Sequence, residues 1–162
     1  MPFKKKKLTG FTLLELILVM GIIAILSVAL TAAYQSFQRG AILDIASREI
    51  VGKLREAQAR ALSGEDGSRW GVRFDNSLAG YRLFSTLTTF ASGAVKETLF
   101  LSNRVEYKTF DGGGLGSPLD ITFERLTGVP SGSVSHSLEI NIKSSPTFSK
   151  LITVTTSGRI SD

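Results

Sequence analysis

The feature that most constrains this chain is an uninterrupted apolar run near its N-terminus. Residues 11–33 read FTLLELILVMGIIAILSVALTAA, and Glu15 is the only charged side chain among these 23 residues. As a helix rising about 1.5 Å per residue, the run would be roughly 35 Å long, enough to cross the hydrocarbon core of a bilayer. A helix that is apolar all round needs lipid or other helices to cover it.

The charge of the chain points to membrane topology rather than to a nucleic-acid partner. The formal net charge is +5, and the lysines at 4–7 supply four of the 19 basic side chains. Without residues 1–10 the balance is 15 basic against 14 acidic side chains. Because lysines beside a membrane segment stay on the cytoplasmic side, we expect a cytoplasmic N-terminus and a domain outside the cytoplasm. The sequence contains no cysteine, which excludes disulfides and thiolate metal sites.

Three interpretations of the N-terminus compete on the residues alone. The first is a secretory signal peptide, cut near the small residues at 31–33. The second is a plain signal anchor that holds a domain at the membrane. The third is cleavage on the cytoplasmic side of the run, after Gly10, which leaves the apolar helix in the mature protein. The length of the run and the acid inside it count against a signal peptide.

Glu15 favours the third interpretation. A carboxylate at mid-depth in a bilayer costs on the order of 3 kcal/mol on insertion scales, so such an acid usually has a partner. Cleavage after Gly10 creates one, because the new α-amino group of Phe11 is largely protonated near neutral pH. The amine lies one helical turn away in its own chain, and in a packed array the amine of a neighbouring chain can be the better partner.

The order of these residues resembles the class III signal of type IV pilins and type II secretion pseudopilins. The shared features are a basic leader, Gly10 before the cut, Phe11 after it, Glu15 at the fifth mature position and the apolar run. The resemblance implies that a prepilin peptidase cuts between Gly10 and Phe11 and N-methylates Phe11. It also implies that Glu15 sets the register between subunits in a filament.

The helical pattern continues past the apolar run. Apolar side chains recur at spacings of three and four, as on one face of a helix, at Leu43, Ala46, Ile50, Leu54, Ala57 and Ala61. The turn cluster at 64–67 ends the pattern. The sequence therefore predicts one helix over residues 11–63, with an apolar half (11–33) and an amphipathic half (34–63). Two helices hinged near Gly40 are the alternative.

The charges of the amphipathic half predict local ion pairs. Glu49 precedes Lys53 and Glu56 precedes Arg60 by four residues, which is the favourable order for pairs on a helix surface. We therefore expect both pairs on the exposed side of the helix.

Residues 64–162 are predicted to form a β-rich domain. Short runs rich in Val, Ile, Thr, Phe and Tyr alternate with Gly-, Ser-, Pro- and Asn-rich turns. The predicted strands are 70–74, 81–85, 97–101, 105–110, 120–123, 138–142 and 151–155. Alternation assigns Trp70, Phe74, Tyr81 and Phe84 to packing within the sheet. The expected fold class is α+β and pilin-like, with the long helix packed against an antiparallel sheet or small β-sandwich.

A second set of segments is similar to the H-type minor pseudopilin and minor pilin family. These segments are 54–61 at the end of the helix, 70–74, 123–128 and the terminal 152–160. Members of that family carry a β-rich domain of two sheets on the long helix, so the resemblance implies the same here.

No catalytic, cofactor or metal site is predicted. His136, the only histidine, lies in a Ser-rich stretch with no GxSxG motif, and a solvated loop is the expected setting. The glycine-rich stretch that follows Asp111 lacks the spread of oxygen ligands that calcium requires, which favours a flexible hairpin loop. Arg159 matches one of the arginines with which some H-type minor pilins of DNA-uptake pili hold DNA. A single arginine contributes little to the phosphate interaction.

The function expected from the resemblance is that of a structural subunit, not an enzyme. Residues 1–10 would be the cleaved leader, and the subunit would wait in the inner membrane with its C-terminal domain in the periplasm or outside. Its expected partners are other pilin or pseudopilin subunits, the prepilin peptidase and an inner-membrane assembly platform. A minor subunit of a type II secretion pseudopilus is the main interpretation. A minor pilin of a type IV or competence pilus, and a membrane-tethered β-domain binding protein, are the alternatives.

Overall fold

The computed structural model describes residues 11–162, and the described chain divides into two units. The first ends at Gln38 and the second is Arg39–Asp162. The expected leader, with its lysines and Gly10, lies outside the described residues.

One long helix, α1 (Leu13–Ser63), opens the described chain. It confirms the predicted helix except for the first two residues. It includes Gly40 without interruption, so the alternative of two separate helices is wrong. Within residues 11–162, no helix combines the length and the mean hydropathy of a membrane-spanning segment.

In the second unit, one face of α1 is buried. The predicted apolar face, from Leu43 to Ala61, is at most 5% exposed at every one of its six positions. Ser47 and Val51 are buried with it, although the spacing of the apolar residues did not predict them. The opposite side of the helix is open to solvent, which is the distribution that an amphipathic helix requires.

Among residues 11–162, eight strands form two antiparallel four-stranded sheets. In chain order they are β1 (Arg69–Asp75), β2 (Gly80–Thr86), β3 (Ala94–Phe100), β4 (Val105–Phe110), β5 (Leu119–Phe123), β6 (His136–Ile142), β7 (Ser145–Val154) and β8 (Ile160–Ser161). The first sheet has the order β3-β2-β1-β5 and the second has the order β4-β6-β7-β8. Two sheets confirm the sandwich form of the prediction.

The predicted strands are largely confirmed, and the differences lie in their ends and connections. β3 begins at Ala94 rather than at residue 97, β7 is longer by six residues at its start, and β8 was not predicted. The loop that starts at Asp111 is not a hairpin, because β4 and β5 belong to different sheets and the loop crosses between them. Local turn chemistry could not show this, because glycine-rich sequences suit both kinds of connection.

The inner faces of both sheets share one core with α1. Trp70, Phe74 and Tyr81 are at most 2% exposed in this core, as predicted. Tyr107 of β4 donates a hydrogen bond from its hydroxyl to the carbonyl oxygen of Gly80 in the other sheet, at 2.9 Å. Burial raises the pKa of Tyr107 well above its usual range, so this donor stays protonated.

Phe84 is buried as predicted, but outside that core. Its ring meets the ring of Phe90 edge to face at 4.9 Å, and Arg73 lies over the same Phe90 ring at 4.1 Å. Phe90 belongs to the connection between β2 and β3. This connection therefore folds back over the first sheet and covers the Phe84 ring.

Gln58 joins the helix to two loops that are distant in sequence. Its Nε2 donates to the carbonyl oxygens of Gly128 and Gly158, each at 2.8 Å. Gly158 has a φ of +83°, and a Cβ there would lie 2.7 Å from both Gln58 Nε2 and the Gly128 carbonyl oxygen. Only glycine fits this turn between β7 and β8.

The last residues of the chain also bind α1. Asp162 accepts a hydrogen bond from the Ser47 hydroxyl at 2.6 Å, and Lys150 pairs with Asp44 at 2.6 Å and with Asp162 at 3.2 Å. The Ser47 hydroxyl and then the Lys150 ammonium hold the pKa of Asp162 below its usual value.

We expect Gly158→Ala to lower the free energy of unfolding by about 2–4 kcal/mol, because it combines a left-handed backbone with a steric clash. Gly116→Ala is the matched control, since an added Cβ there meets nothing within 4 Å. Chemical denaturation followed by circular dichroism measures both. Equal effects of the two substitutions would contradict the role assigned to Gly158.

Acid should weaken the bond between the C-terminus and α1. Because the folded pKa of Asp162 lies below its unfolded value, its contribution is complete above about pH 4 and is lost as the pH falls through the lowered value. We expect Asp162→Asn to remove at most about 1 kcal/mol near pH 7 and to make stability less dependent on pH below about 4. Denaturation between acidic and neutral pH measures this, with Asp66→Asn as an exposed control.

Candidate functional sites

Thr12 caps the N-terminus of α1. Its hydroxyl accepts a hydrogen bond from the backbone N–H of Glu15 at 3.3 Å, and its carbonyl accepts from Leu16 N–H at 3.1 Å. Thr12 and Glu15 thus have the Thr-x-x-Glu spacing of a capping box, with one of its two hydrogen bonds present. Our reading of the sequence missed this cap, although the spacing itself is the signal.

The position of Glu15 in the first turn of α1 gives its carboxylate a local stabilising role. A carboxylate in the first helical turn interacts favourably with the helix dipole, typically by about 0.3–1 kcal/mol at an exposed site. That gain is smaller than the roughly 3 kcal/mol that a charge costs at the centre of a bilayer. Glu15 lies fifth among the 23 residues of the run, where a charge costs less than at the centre.

The apolar side chains of the first unit are exposed along the whole helix. Phe11 is 80%, Leu13 77%, Ile25 74% and Val28 75% exposed, and even Val19, the most covered, is 41% exposed. No described residue between 11 and 38 covers this surface.

The polar side chains farther along the run are satisfied inside the helix. The Ser27 hydroxyl donates to the Ile23 carbonyl at 2.7 Å, and the Thr31 hydroxyl donates to the Ser27 carbonyl at 2.8 Å. Hydrogen bonds of this kind allow hydroxyls to enter an apolar environment at low cost. Glu15 is the one charged side chain among residues 11–33.

His136 is not a solvated loop residue, so that prediction is wrong. It is the first residue of β6, its side chain is 15% exposed, and its Nδ1 lies 2.9 Å from Asp111 Oδ2. Asp111 also accepts from the Ser137 backbone N–H at 2.6 Å. The carboxylate thus ties the end of β4 to the start of β6, which is a structural role. Within residues 11–162, no group of three or more potential ligand side chains is placed to hold a metal ion.

Arg159 lies in the turn between β7 and β8. Its backbone carbonyl accepts from Thr155 N–H at 2.9 Å, and its N–H donates to the Thr155 hydroxyl at 3.1 Å. The residue is exposed, and its role in nucleic-acid contact stays a prediction.

One side of α1 in the second unit borders a groove of roughly 600 Å³. Helix residues Glu49, Gly52 and Lys53 form one wall, residues 97–100 of β3 form the other, and Tyr81 lies between them. The predicted Glu49–Lys53 pair is wrong, because Lys53 turns to Glu56 at 2.9 Å and to Glu97 at 2.7 Å. The predicted Glu56–Arg60 pair is confirmed at 2.8 Å.

Comparison with known families and structures agrees with the sequence motif and the fold. Residues 5–31 match the prokaryotic N-terminal methylation motif. The minor pseudopilin EpsH from the type 2 secretion system of Vibrio cholerae superposes with a TM-score of 0.56 at 17% identity, over 74% of this chain and 94% of that one. The type IV minor pilin FimU of Pseudomonas aeruginosa gives 0.57 at 16% identity, over 74% of this chain and 86% of that one. No curated protein matches the sequence.

These matches confirm the predicted class III signal and the pilin-like fold. The motif includes Gly10, Phe11 and Glu15, and the shared fold is that of minor pseudopilins and minor pilins. The individual roles of those three residues stay predictions.

Proposed function

We propose that this chain is a minor structural subunit of a type II secretion pseudopilus. A prepilin peptidase cuts between Gly10 and Phe11 and methylates the new amine. An inner-membrane assembly platform then moves the subunit into a filament that serves protein secretion. The chain performs no catalysis in this role.

The observation that carries the proposal is the exposed apolar surface of the first unit, together with the methylation motif in the same residues. Each large side chain left in water costs about 1.5–3 kcal/mol relative to burial, so the run must be covered in the cell. Lipid covers it while the subunit waits in the inner membrane, with the lysines at 4–7 on the cytoplasmic side. Neighbouring helices cover it in the filament.

Glu15 determines the register in this proposal. When lipid is replaced by other helices, apolar burial changes little, because lipid tails and leucine side chains are similarly apolar. The surroundings of the Glu15 carboxylate do change, and the Phe11 amine of a neighbouring subunit is a partner of opposite charge. A subunit displaced along the filament would leave a buried carboxylate unpaired, at a cost of several kcal/mol.

A minor pilin of a type IV or competence pilus is the second candidate. The similarity to FimU supports it, since the TM-score and the coverage of this chain are nearly equal for both structures. A tethered binding protein is the third candidate, and it requires neither cleavage after Gly10 nor entry into filaments. Deletion of the gene separates the first two candidates, since loss of secretion and loss of surface pili are different phenotypes.

We expect the membrane-bound protein to begin with N-methylated Phe11. Intact-mass and N-terminal peptide mass spectrometry of the purified protein measures this. Gly10→Val should block the cut, because the protease must approach the backbone closely. A mature protein that starts near Tyr34, or one that retains residues 1–10, would refute the proposal.

We expect Glu15→Gln to leave membrane insertion intact and to lower incorporation into filaments by about tenfold or more. Glutamine keeps the side-chain shape that suits a capping box, so the variant tests the charge alone. Thr12→Ala is the matched control, because it removes the cap and keeps the carboxylate. Quantitative immunoblots of the membrane and sheared-filament fractions measure the ratio. Equal losses in both variants would assign Glu15 to capping instead.

A further inference from the structure

The groove between α1 and β3 has features that the packing of the second unit does not explain. Four consecutive residues of one strand, 97–100, border it. The groove takes in the backbone of β3 as well as Glu97 and Leu99, which pair with Leu83 and Tyr81 of β2. β3 is the outer strand of its sheet. Its edge therefore presents backbone N–H and C=O groups that lack a neighbouring strand, which is the surface that strand addition uses.

Gly52 lies in the helix wall of the groove, and the packing around it does not require a glycine. The residue lies in the interior of α1 and is exposed, and an added Cβ would meet nothing within 4 Å. Glycine is the poorest helix former apart from proline, so alanine at this position would favour the helix. The missing side chain leaves room directly opposite the free edge of β3.

Two polar groups line the groove. The Tyr81 side chain is 2% exposed, and its hydroxyl is not among the buried polar atoms that lack a hydrogen-bond partner, so it opens to the solvent of the groove. Burial raises the pKa of Tyr81 to about 12, so the hydroxyl stays a neutral donor and acceptor. The exposed Glu49 carboxylate forms no ion pair with the described cations, because Lys53 is held by Glu56 and Glu97.

We propose that this groove binds an extended segment of another filament subunit, which adds as a strand to β3 and places a lysine or arginine against Glu49 and the Tyr81 hydroxyl. The free strand edge selects an extended backbone, Gly52 provides space for it, and the unpaired carboxylate selects a cation. The inference rests on the proposed function for the source of the segment.

The test uses the full chain in its host, with a benzophenone amino acid in place of Thr98, an exposed residue of the groove. Cross-linked peptides are identified by mass spectrometry. We expect these peptides to come from a different protein subunit of the filament and to contain a lysine or arginine. Gly52→Leu should reduce the yield by about tenfold, because the side chain fills the groove. Glu49→Gln should reduce it by about fivefold, as expected for an exposed ion pair.

Matched controls separate these effects from general damage. Ala59→Leu places the same side chain on the exposed side of α1 outside the groove, and Glu106→Gln removes a carboxylate from the other sheet. Both should cross-link like the parent. Replacing the mapped basic residue of the partner by glutamate should abolish the cross-link, and Glu49→Lys in this chain should restore it.

The outcomes distinguish this inference from the proposed function. If the chain enters filaments but Thr98 cross-links to no other subunit, or does so equally in all variants, the groove proposal is wrong and the filament role stands. Cross-linking only to a second copy of this chain or to lipid also overturns it. If the chain never enters filaments, the proposed function fails first.

Discussion

The architecture of the second unit depends on the burial of one face of α1. Its buried side chains belong to the same core as residues of both sheets. Tyr107 and Gln58 then fix how the surrounding parts meet, through hydrogen bonds that span 27 to 100 positions in sequence. The helix thereby has two different surroundings along its length: a built core in one unit, and in the other an exposed apolar surface.

The parts of the fold that follow from local patterns could be read from the sequence. The extent of α1, its buried face and most strand positions depend on spacings of three to four or of two residues, which neighbouring side chains impose. The pairing of strands does not follow from these local spacings. The sequence therefore did not predict that the loop from β4 to β5 crosses between the two sheets. His136 was misplaced for the same reason, because its partner Asp111 is distant in sequence and is brought near only by strand pairing.

The candidate sites also divide into features that local sequence predicts and features that depend on residues distant in sequence. The order of Gly10, Phe11 and Glu15 is a local signal, and comparison with the methylation motif agrees with it. The Thr12 cap is equally local, because Thr12 and Glu15 have the Thr-x-x-Glu spacing of a capping box. The groove could not have been foreseen. The sequence pairs Glu49 with Lys53, and only the position of Glu97 on a neighbouring strand shows why Lys53 turns away.

The bond between Asp162 and Ser47 joins residues 115 positions apart. Gly158 and Asp162 follow their helix partners by 100 and 115 positions, so α1 is synthesised long before the residues that close over this part of its buried face. A holding chaperone that recognises exposed apolar helices would meet the chain during that interval, and the completed domain would no longer offer it that face.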